Sequence, residues 1–394
     1  MTQTKIQVFY SDDELLHNPT MELTSGEWKP YVESPERLKS IKAFIDSHPS
    51  DFEIVSPFDY SINPILDIHR HDYIQFLKTI YKDWIEMGLP KDACMGDTFA
   101  KSSFTSHLDD SIIRENANKS CEGKMGYYLG DMSVSFVKDT WSAVYASAQI
   151  ILSAAHRLVE TNKPVYALCR PPGHHASHYT AAGYCFINNV AVATRFLQNY
   201  SPEDMKKMKR PYHKVAVNHP DMILTRMNND KKRILIIDID FHHGNGTQSI
   251  FYHDPSVFYI SLHGYPNYPY FTGSTQEIGK GPGEGYNINV PLDPNTTTDA
   301  IYLSHLDIVL NDTKVINFDA QIVIVSMGLD TWHEDPIAGL KGLQNKDTYN
   351  KIGSKIKTSK STKNRSVLFV QEGGYTMSVL GELAGRVLQG YLQA

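Results

Sequence analysis

The chain has 394 residues, 41% of them hydrophobic and 21% charged, enough to bury a large core and far from the composition of a disordered or disulfide-stapled protein. Its 38 basic and 44 acidic residues leave a net charge of −6 with no basic block of the kind that grips nucleic acid, and no apolar run reaches the roughly 18 residues needed to cross a bilayer. The opening MTQTKIQVFYSDDELL lacks the basic and then apolar segment of a secretory signal, and the four cysteines form no CxxC pair, so a cytoplasmic protein with neither disulfides nor a cysteine-only zinc site is expected.

In chain order, KIQVFY at 5–10 predicts a strand, followed by helices at about 34–47 and 70–87. The stretch DTWSAVYASAQIILSAAHRLVE at 139–160 starts with an acid and carries Ala, Val, Ile and Leu at helical intervals, as a crossover helix does. PVYALC at 164–169 predicts a second strand, 186–199 a helix, and RILIIDID at 233–240, SVFYISL at 256–262 and AQIVIVSMG at 320–328 three further strands, with a helix at 298–317 before the last of these. RSVLFVQEGG at 365–374 and a helix at 376–393 close the series. Short, nearly continuous apolar runs separated by helices imply strands covered on both faces, hence a three-layer α/β/α arrangement around a mainly parallel sheet. No internal repeat or Gly/Ser linker divides the chain, so residues 1–394 read as one domain. Two polar, lysine-rich stretches, 201–232 and 341–365, read as surface insertions between core elements.

The polar residues cluster where strands end, and in a parallel sheet those carboxyl ends open onto the ligand crevice. In IIDIDFHHGNGTQ, residues 238, 240 and 242 keep strand periodicity, so two carboxylates and an imidazole project to one side. Read only as turn caps, Asp238 and Asp240 would leave two crowded charges with no cation to offset them. The strand AQIVIVSMG runs out at Leu329 and Asp330. Asp240, His242 and Asp330 together make a three-ligand site with an open position, of donors that suit zinc, iron or manganese. CRPPGHHAS places His174 and His175 in a stiffened loop, where one ring can take a proton while its neighbour supplies charge, and Asp238 is the natural partner of His174. In VQEGGYTM, Gly373 and Gly374 free a loop that carries Tyr375, a phenol able to donate to a developing oxyanion. Among the aromatics of GYCFINN and HGYPNYPYFTGS, which include Phe186, Tyr268 and Phe271, Tyr184 and Tyr270 are taken as walls of a narrow substrate tunnel, with Gly183 and Gly373 beside them. Cys185 reads as a small buried filler rather than a nucleophile.

These motifs, from ESPER near the N terminus through RPPGHH, DIDFHHGNGTQ, SLHG and EGGY, resemble the zinc-dependent histone deacetylase family of the arginase/deacetylase fold group, and within it the bacterial acetylpolyamine amidohydrolases and class II-like deacetylases. The resemblance implies one catalytic zinc on Asp240, His242 and Asp330. It makes His175 the general base and then acid, His174 its charged or hydrogen-bonding neighbour paired with Asp238, and Tyr375 the group that polarises the acyl carbonyl. A structural potassium or sodium ion is implied on Asp238, Asp240, the backbone of His242 and Leu262, and the Ser261 hydroxyl. Asn245 stands where class I deacetylases carry an aspartate behind the second histidine, as in class II and polyamine enzymes. Residues 88–122 resemble a loop that narrows the entrance and helps form a homodimer, with Asp97, Glu122 and Asp131 as contributors to an acidic entrance. The chain departs from the family at Tyr31-Val32-Glu33, where His-Pro-Glu is usual.

The expected activity is therefore hydrolysis of an N-acetyl amide on a small cationic amine, an acetylpolyamine, with a protein-lysine deacetylase or broader deacylase acting on acetyl-lysine as the alternative. Neither nucleic acid nor a membrane is an expected partner.

Overall fold

The computed structural model describes residues 5–92, 94–212 and 231–394. Eight short runs pair in one sheet: β1 (Ile6–Phe9), β2 (Phe52–Val55), β3 (Val165–Ala167), β4 (Ile234–Asp238), β5 (Val257–Gly264), β6 (Asn287–Leu292), β7 (Ile322–Met327) and β8 (Ser366–Gln371). Their spatial order is β6-β5-β4-β7-β8-β3-β1-β2, and every neighbouring pair is parallel. Parallel pairing needs a crossover between strands, and helices supply it on both faces. Along β4, Ile234 and Ile236 enter one apolar cluster while Leu235 and Ile237 enter the other, which is why the strand is apolar throughout instead of alternating.

Among the described residues the longest helices of the outer layers are α1 (Glu36–Ser47), α2 (His71–Glu86), α3 (Thr140–Thr161), α4 (Asn189–Asn199), α5 (Asp299–Leu310), α6 (Asp347–Thr358) and α7 (Met377–Gln393). Buried residues of α2, α3 and α4 share the first cluster, and those of α1, α5, α6 and α7 the second, giving the three layers the pattern predicts. The four cysteines are buried and unpaired. Among the described residues no helix is long and apolar enough to cross a membrane.

Several boundaries differ from the sequence reading. The two sheet edges, β2 and β6, are half-exposed and carry polar residues such as Glu53, Asn287 and Asn289, so they lack the apolar run that marks a central strand. The helix expected at 298–317 breaks at Asn311, because the Asp312 side chain accepts from the Lys314 amide and starts a second short helix, Thr313–Phe318. The lysine-rich stretch 341–365 is not a surface excursion. Its centre is α6, which buries Tyr349, Ile352 and Ile356 in the second core while Lys351 and Lys355 pair with Asp347 and Asp307 on the outer side. A lysine count reads only the exposed face of such a helix. Of the other stretch, 201–232, a capping box from Ser201 and Asp204 opens the helix Pro202–Met208, which buries Met205 and Met208; residues 213–230 lie outside the described residues. Segment 88–122 contains the helix Asp110–Ala117 and is tied to the start of α2 through Arg70, which reaches Asp110 at 3.3 Å and the Tyr127 hydroxyl at 3.1 Å.

Candidate active site

Because all strands run the same way, the loops after β3, β4, β7 and β8 leave one edge of the sheet, and each carries polar residues that meet there. Past the end of β4 the backbone is held by its own carboxylates: Asp238 Oδ1 accepts from the Asp240 amide at 3.2 Å, and Asp240 Oδ1 from the His242 amide at 2.8 Å. The loop after β7 brings Asp330, whose Oδ1 accepts from the Phe241 amide at 2.8 Å. The loop after β8 brings Gly373, whose amide donates to Asp240 Oδ2 at 2.8 Å. A Cβ at Gly373 would lie 2.8 Å from Asp330 Oδ2, and one at Gly328 would overlap Asp240, so glycine at both places leaves room for the carboxylates.

Asp240, His242 and Asp330 are buried and offer three ligand atoms that lie within 4.8 Å of one another. His242 Nδ1 is 2.8 Å from Asp330 Oδ2 and 3.3 Å from Asp240 Oδ1, yet among the described residues no contact to Asp330 Oδ2 has the geometry of a hydrogen bond. Lone pairs aimed at a common point, in place of one another, are what a cation between them requires, and the N/O donor set suits a borderline metal such as zinc. Burial alone would lower the His242 pKa, but the Asp240 and Asp330 carboxylates push it up to about 10, so the three groups demand a positive charge among them. Burial, and then the charge of Asp240, raises Asp330 to about 6.

The two adjacent histidines differ in charge. His174 Nδ1 lies 3.1 Å from Asp238 Oδ2, which also accepts from the Tyr259 hydroxyl at 2.9 Å. Burial would lower His174, but Asp240 and Asp238 outweigh it and push it up to about 10. His175, with its ring centroid 4.0 Å from that of His174, is driven well below its ordinary value by burial and then by the cations at His174 and His242. Its Nδ1 lies 2.8 Å from Asn245 Oδ1. An amide oxygen can only accept, so Nδ1 carries the proton and Nε2 keeps a free lone pair. Burial pushes the Tyr375 phenol well above its ordinary range, against the pull of Arg37, whose guanidinium lies 4.7 Å from the ring centroid.

His174, His175, His242 and Tyr375 line one cavity of about 210 Å³, shared with Gly183, Tyr184, Tyr268, Tyr270 and Gly373. Tyr184 lies 5.8 Å from the Tyr375 ring, and Tyr268 stands edge-on to His175 at 4.9 Å. Gly183 has a φ of +53°, and any side chain there would overlap the His175 ring. Both wall tyrosines donate to carboxylates: Tyr184 to Glu22 Oε2 at 2.8 Å and Tyr268 to Asp131 Oδ2 at 2.5 Å. Tyr270 is 66% exposed, and Phe271, at 93%, points to solvent. Phe186 belongs to the first core cluster. Of the acids considered for an entrance, Asp131 sits behind the tunnel wall, accepting from the Gly183 amide and the Tyr268 hydroxyl, whereas Glu122 lines a separate cavity with Phe99 and Ile113. Asp238 and Ser261 face each other in the β4–β5 register, with Leu262 next to Ser261 and the Ser261 hydroxyl 2.9 Å from His263 Nδ1.

The model for the histone deacetylase domain matches residues 31–208 and 215–391. The chain belongs to that family. Acetylpolyamine amidohydrolase 1 of Pseudomonas aeruginosa is 33% identical over 384 residues, 97% of each chain. The acetylpolyamine amidohydrolase of Mycoplana ramosa is 32% identical over 389 residues, 98% of this chain and 99% of that one. Among solved structures, the acetylpolyamine aminohydrolase of Burkholderia pseudomallei superposes with a TM-score of 0.80 at 28% identity, covering 98% of both chains. Membership makes this histone deacetylase domain a hydrolase of the deacetylase/amidohydrolase type, with the arginase/deacetylase fold and buried clusters able to hold metal.

A second such cluster in the deacetylase domain, His174, Cys185 and Glu372, has its donors occupied. Glu372 Oε2 accepts from the Gly173 and His174 amides, Oε1 accepts from Ser326, and burial raises Glu372 to about 7. Burial pushes the Cys185 thiol up as well, in keeping with a filler. The sequence reading passed over Glu372, although an acid between a buried strand and two glycines was a visible signal. It also passed over Arg170, which fixes the tandem-histidine loop by donating to Glu33 Oε1 at 2.8 Å and to the Glu14 and His17 carbonyls at 2.6 Å. No local pattern marks Arg170, since its partners lie more than 130 positions away. Tyr268 was one of five aromatics of similar standing, and only the fold separates it from Phe271.

Proposed function

We propose that the chain is a zinc-dependent amidohydrolase that removes acetyl groups from N-acetylated amines, with acetylpolyamines as its substrates. One observation carries the reading: an Asp-His-Asp donor set presents His242 to the same narrow aromatic cavity that a neutral imidazole and a protonated phenol line. Asp240, His242 and Asp330 would hold the zinc, whose contribution when bound is Lewis acidity toward a carbonyl and a water.

The residues of the chain do the rest. With Nδ1–H committed to Asn245, His175 presents Nε2 to the water and takes its proton. Burial, and then His174, kept cationic by Asp240 and Asp238, keep the His175 pKa low, so the proton passes on readily to the departing amine nitrogen. The Tyr375 hydroxyl, fully protonated, donates to the carbonyl oxygen as negative charge builds on it. Tyr184 and Tyr268 confine the chain that carries the acetamide. Their hydroxyls, donated to Glu22 and Asp131, leave the rings electron-rich and favour a cationic chain. A monovalent cation near Asp238, Asp240, His242, Ser261 and Leu262, and a homodimer formed through segment 88–122, where Phe104 and Ile112 are exposed, belong to the same proposal.

The test is a substrate panel on metal-assayed protein: acetylputrescine and acetylspermidine against an acetyl-lysine peptide. Higher kcat/KM for the polyamines is expected. A preference for the peptide overturns the substrate assignment and leaves the deacetylase chemistry standing.

A further inference from the structure

The polypeptide that carries Tyr375 crosses a gap between two regular elements. The ladder between β7 and β8 ends with the Glu372 amide on the Met327 carbonyl at 3.0 Å and the Leu329 amide on the Gly373 carbonyl at 3.1 Å. Helical bonding resumes with the Val379 and Leu380 amides on the Thr376 carbonyl. Between these lie Gly374, at a φ of +120°, and Tyr375 itself. Among the described residues the Tyr375 hydroxyl makes no hydrogen bond to protein, so its position follows from its backbone and from ring packing.

Two side chains hold that backbone. Arg37 Nε donates to the Gly374 carbonyl at 2.7 Å. Asp335, on the loop that follows Asp330, accepts at Oδ2 from the Tyr375 amide at 2.8 Å and from the Thr376 hydroxyl at 3.4 Å. Its Oδ1 accepts from the Ile337 amide at 3.2 Å, and its own amide donates to the Trp332 carbonyl at 3.0 Å. Ile337 lines the same cavity as Tyr375. Asp335 is buried, and it ties the loop bearing one carboxylate of the donor set to the loop bearing the phenol and to the cavity wall.

We propose that Asp335 is the positioning residue for Tyr375: it fixes where the phenol stands relative to the Asp240–His242–Asp330 cluster, and so sets turnover without touching substrate. The proposal rests on the reading that Tyr375 takes part in amide hydrolysis. A carboxylate receiving a buried backbone amide makes a strong, directional bond, and loss of it frees a segment that has glycine on one side and an unformed helical turn on the other. Displacement of a reacting group by about 1 Å costs roughly 100-fold in rate, whereas binding of the substrate chain along the tunnel is unaffected.

The experiment compares Asp335→Ala, which leaves the Tyr375 amide without an acceptor, in the native background and in Tyr375→Phe, with kcat, KM and zinc content measured for each. In the native background kcat falls by about 10-fold or more while KM stays within about 3-fold and zinc per chain is unchanged. In the Tyr375→Phe background the same substitution changes kcat by less than about 2-fold, since there is no phenol left to misplace. Equal losses in both backgrounds, or loss of zinc with the substitution, overturn the proposal. If Tyr375→Phe itself leaves kcat intact, it is the reading of the site that fails. Asp335→Glu keeps the acceptor but shifts it by one methylene, and it gives the same two-background comparison should the alanine variant not fold.

Discussion

Adjacent residues of the same type differ in charge in this protein: carboxylates within reach hold one ring protonated, while burial holds the other neutral. His174 faces Asp240 and Asp238 and is held protonated, while His175 faces an amide oxygen and is held neutral by burial and then by the cation at His174. The same physics makes buried histidines elsewhere into pH liabilities. His69 Nε2 accepts from the Asn188 amide at 3.0 Å, and burial, with a smaller push from His178, takes its pKa from 6.5 down to about 3. Below pH 6.5 the unfolded chain binds a proton at this position that the folded chain does not, so the stability this group permits is intact above 6.5 and is lost progressively toward pH 3. At about 1.4 kcal/mol per pH unit, the loss between pH 6.5 and 5 is about 2 kcal/mol. His69→Asn keeps an acceptor for the Asn188 amide and does not titrate. Urea unfolding of both proteins is expected to show the variant gaining about 2 kcal/mol on the native chain over that interval, and a constant difference between the two would refute the assignment.

At the scale of elements, the contact between α6 and α7 explains why a lysine-rich stretch belongs to the core. A Cβ at Gly353 would overlap the Val387 carbonyl and lie 2.7 Å from the Tyr391 amide, and one at Gly390 would overlap the Asn350 carbonyl. Each glycine lets one helix backbone approach the other. In an exposed helix Gly→Ala stabilises by about 1 kcal/mol, but here Gly353→Ala forces the helices apart and is expected to destabilise by about 1–3 kcal/mol. Lys351→Ala, two positions away and exposed, removes only a surface pair with Asp347 and is expected to stay within about 0.5 kcal/mol of the native chain. Chemical denaturation of the two variants side by side checks both. This contrast also marks the limit of reading elements from sequence. β4, β5, β7 and β8 were visible because strands buried on both faces must be apolar at every position, whereas β2 and β6 at the sheet edges, and α6 with one buried and one exposed face, mix polar and apolar residues as a loop does.

On the scale of the whole molecule, the residues converging on the cavity come from four strand ends spread between positions 174 and 375, and the parallel sheet is what brings them to one edge. That convergence was legible because each strand-end group stands directly after an apolar run, at a place where a solitary charge has no structural reason to be. The supports, Glu22 behind Tyr184 and Arg170 beneath the tandem histidines, were not, and Asp131 was named only as an entrance acid and not as the partner of Tyr268, since each pairs across the chain through a geometry that no local pattern encodes. The convergence also has a thermodynamic consequence. Asp238, Asp240, Asp330 and Glu372 are all buried near one another, and the first three stand at the ends of two neighbouring strands, so a cation at the donor set both offsets their charge and links the loops after β4 and β7. Such a cation binds the folded chain and not the unfolded one, and at a free concentration one hundred times its Kd it stabilises the fold by about 2.7 kcal/mol. Treatment with a chelator is therefore expected to lower the midpoint of thermal unfolding together with activity, and zinc added back to restore both. Asp330→Ala should abolish the zinc-dependent rise in the midpoint while leaving a folded protein. If the midpoint of the native chain does not respond to zinc, or if the Asp330 variant responds as the native chain does, the metal is not held where the geometry puts it.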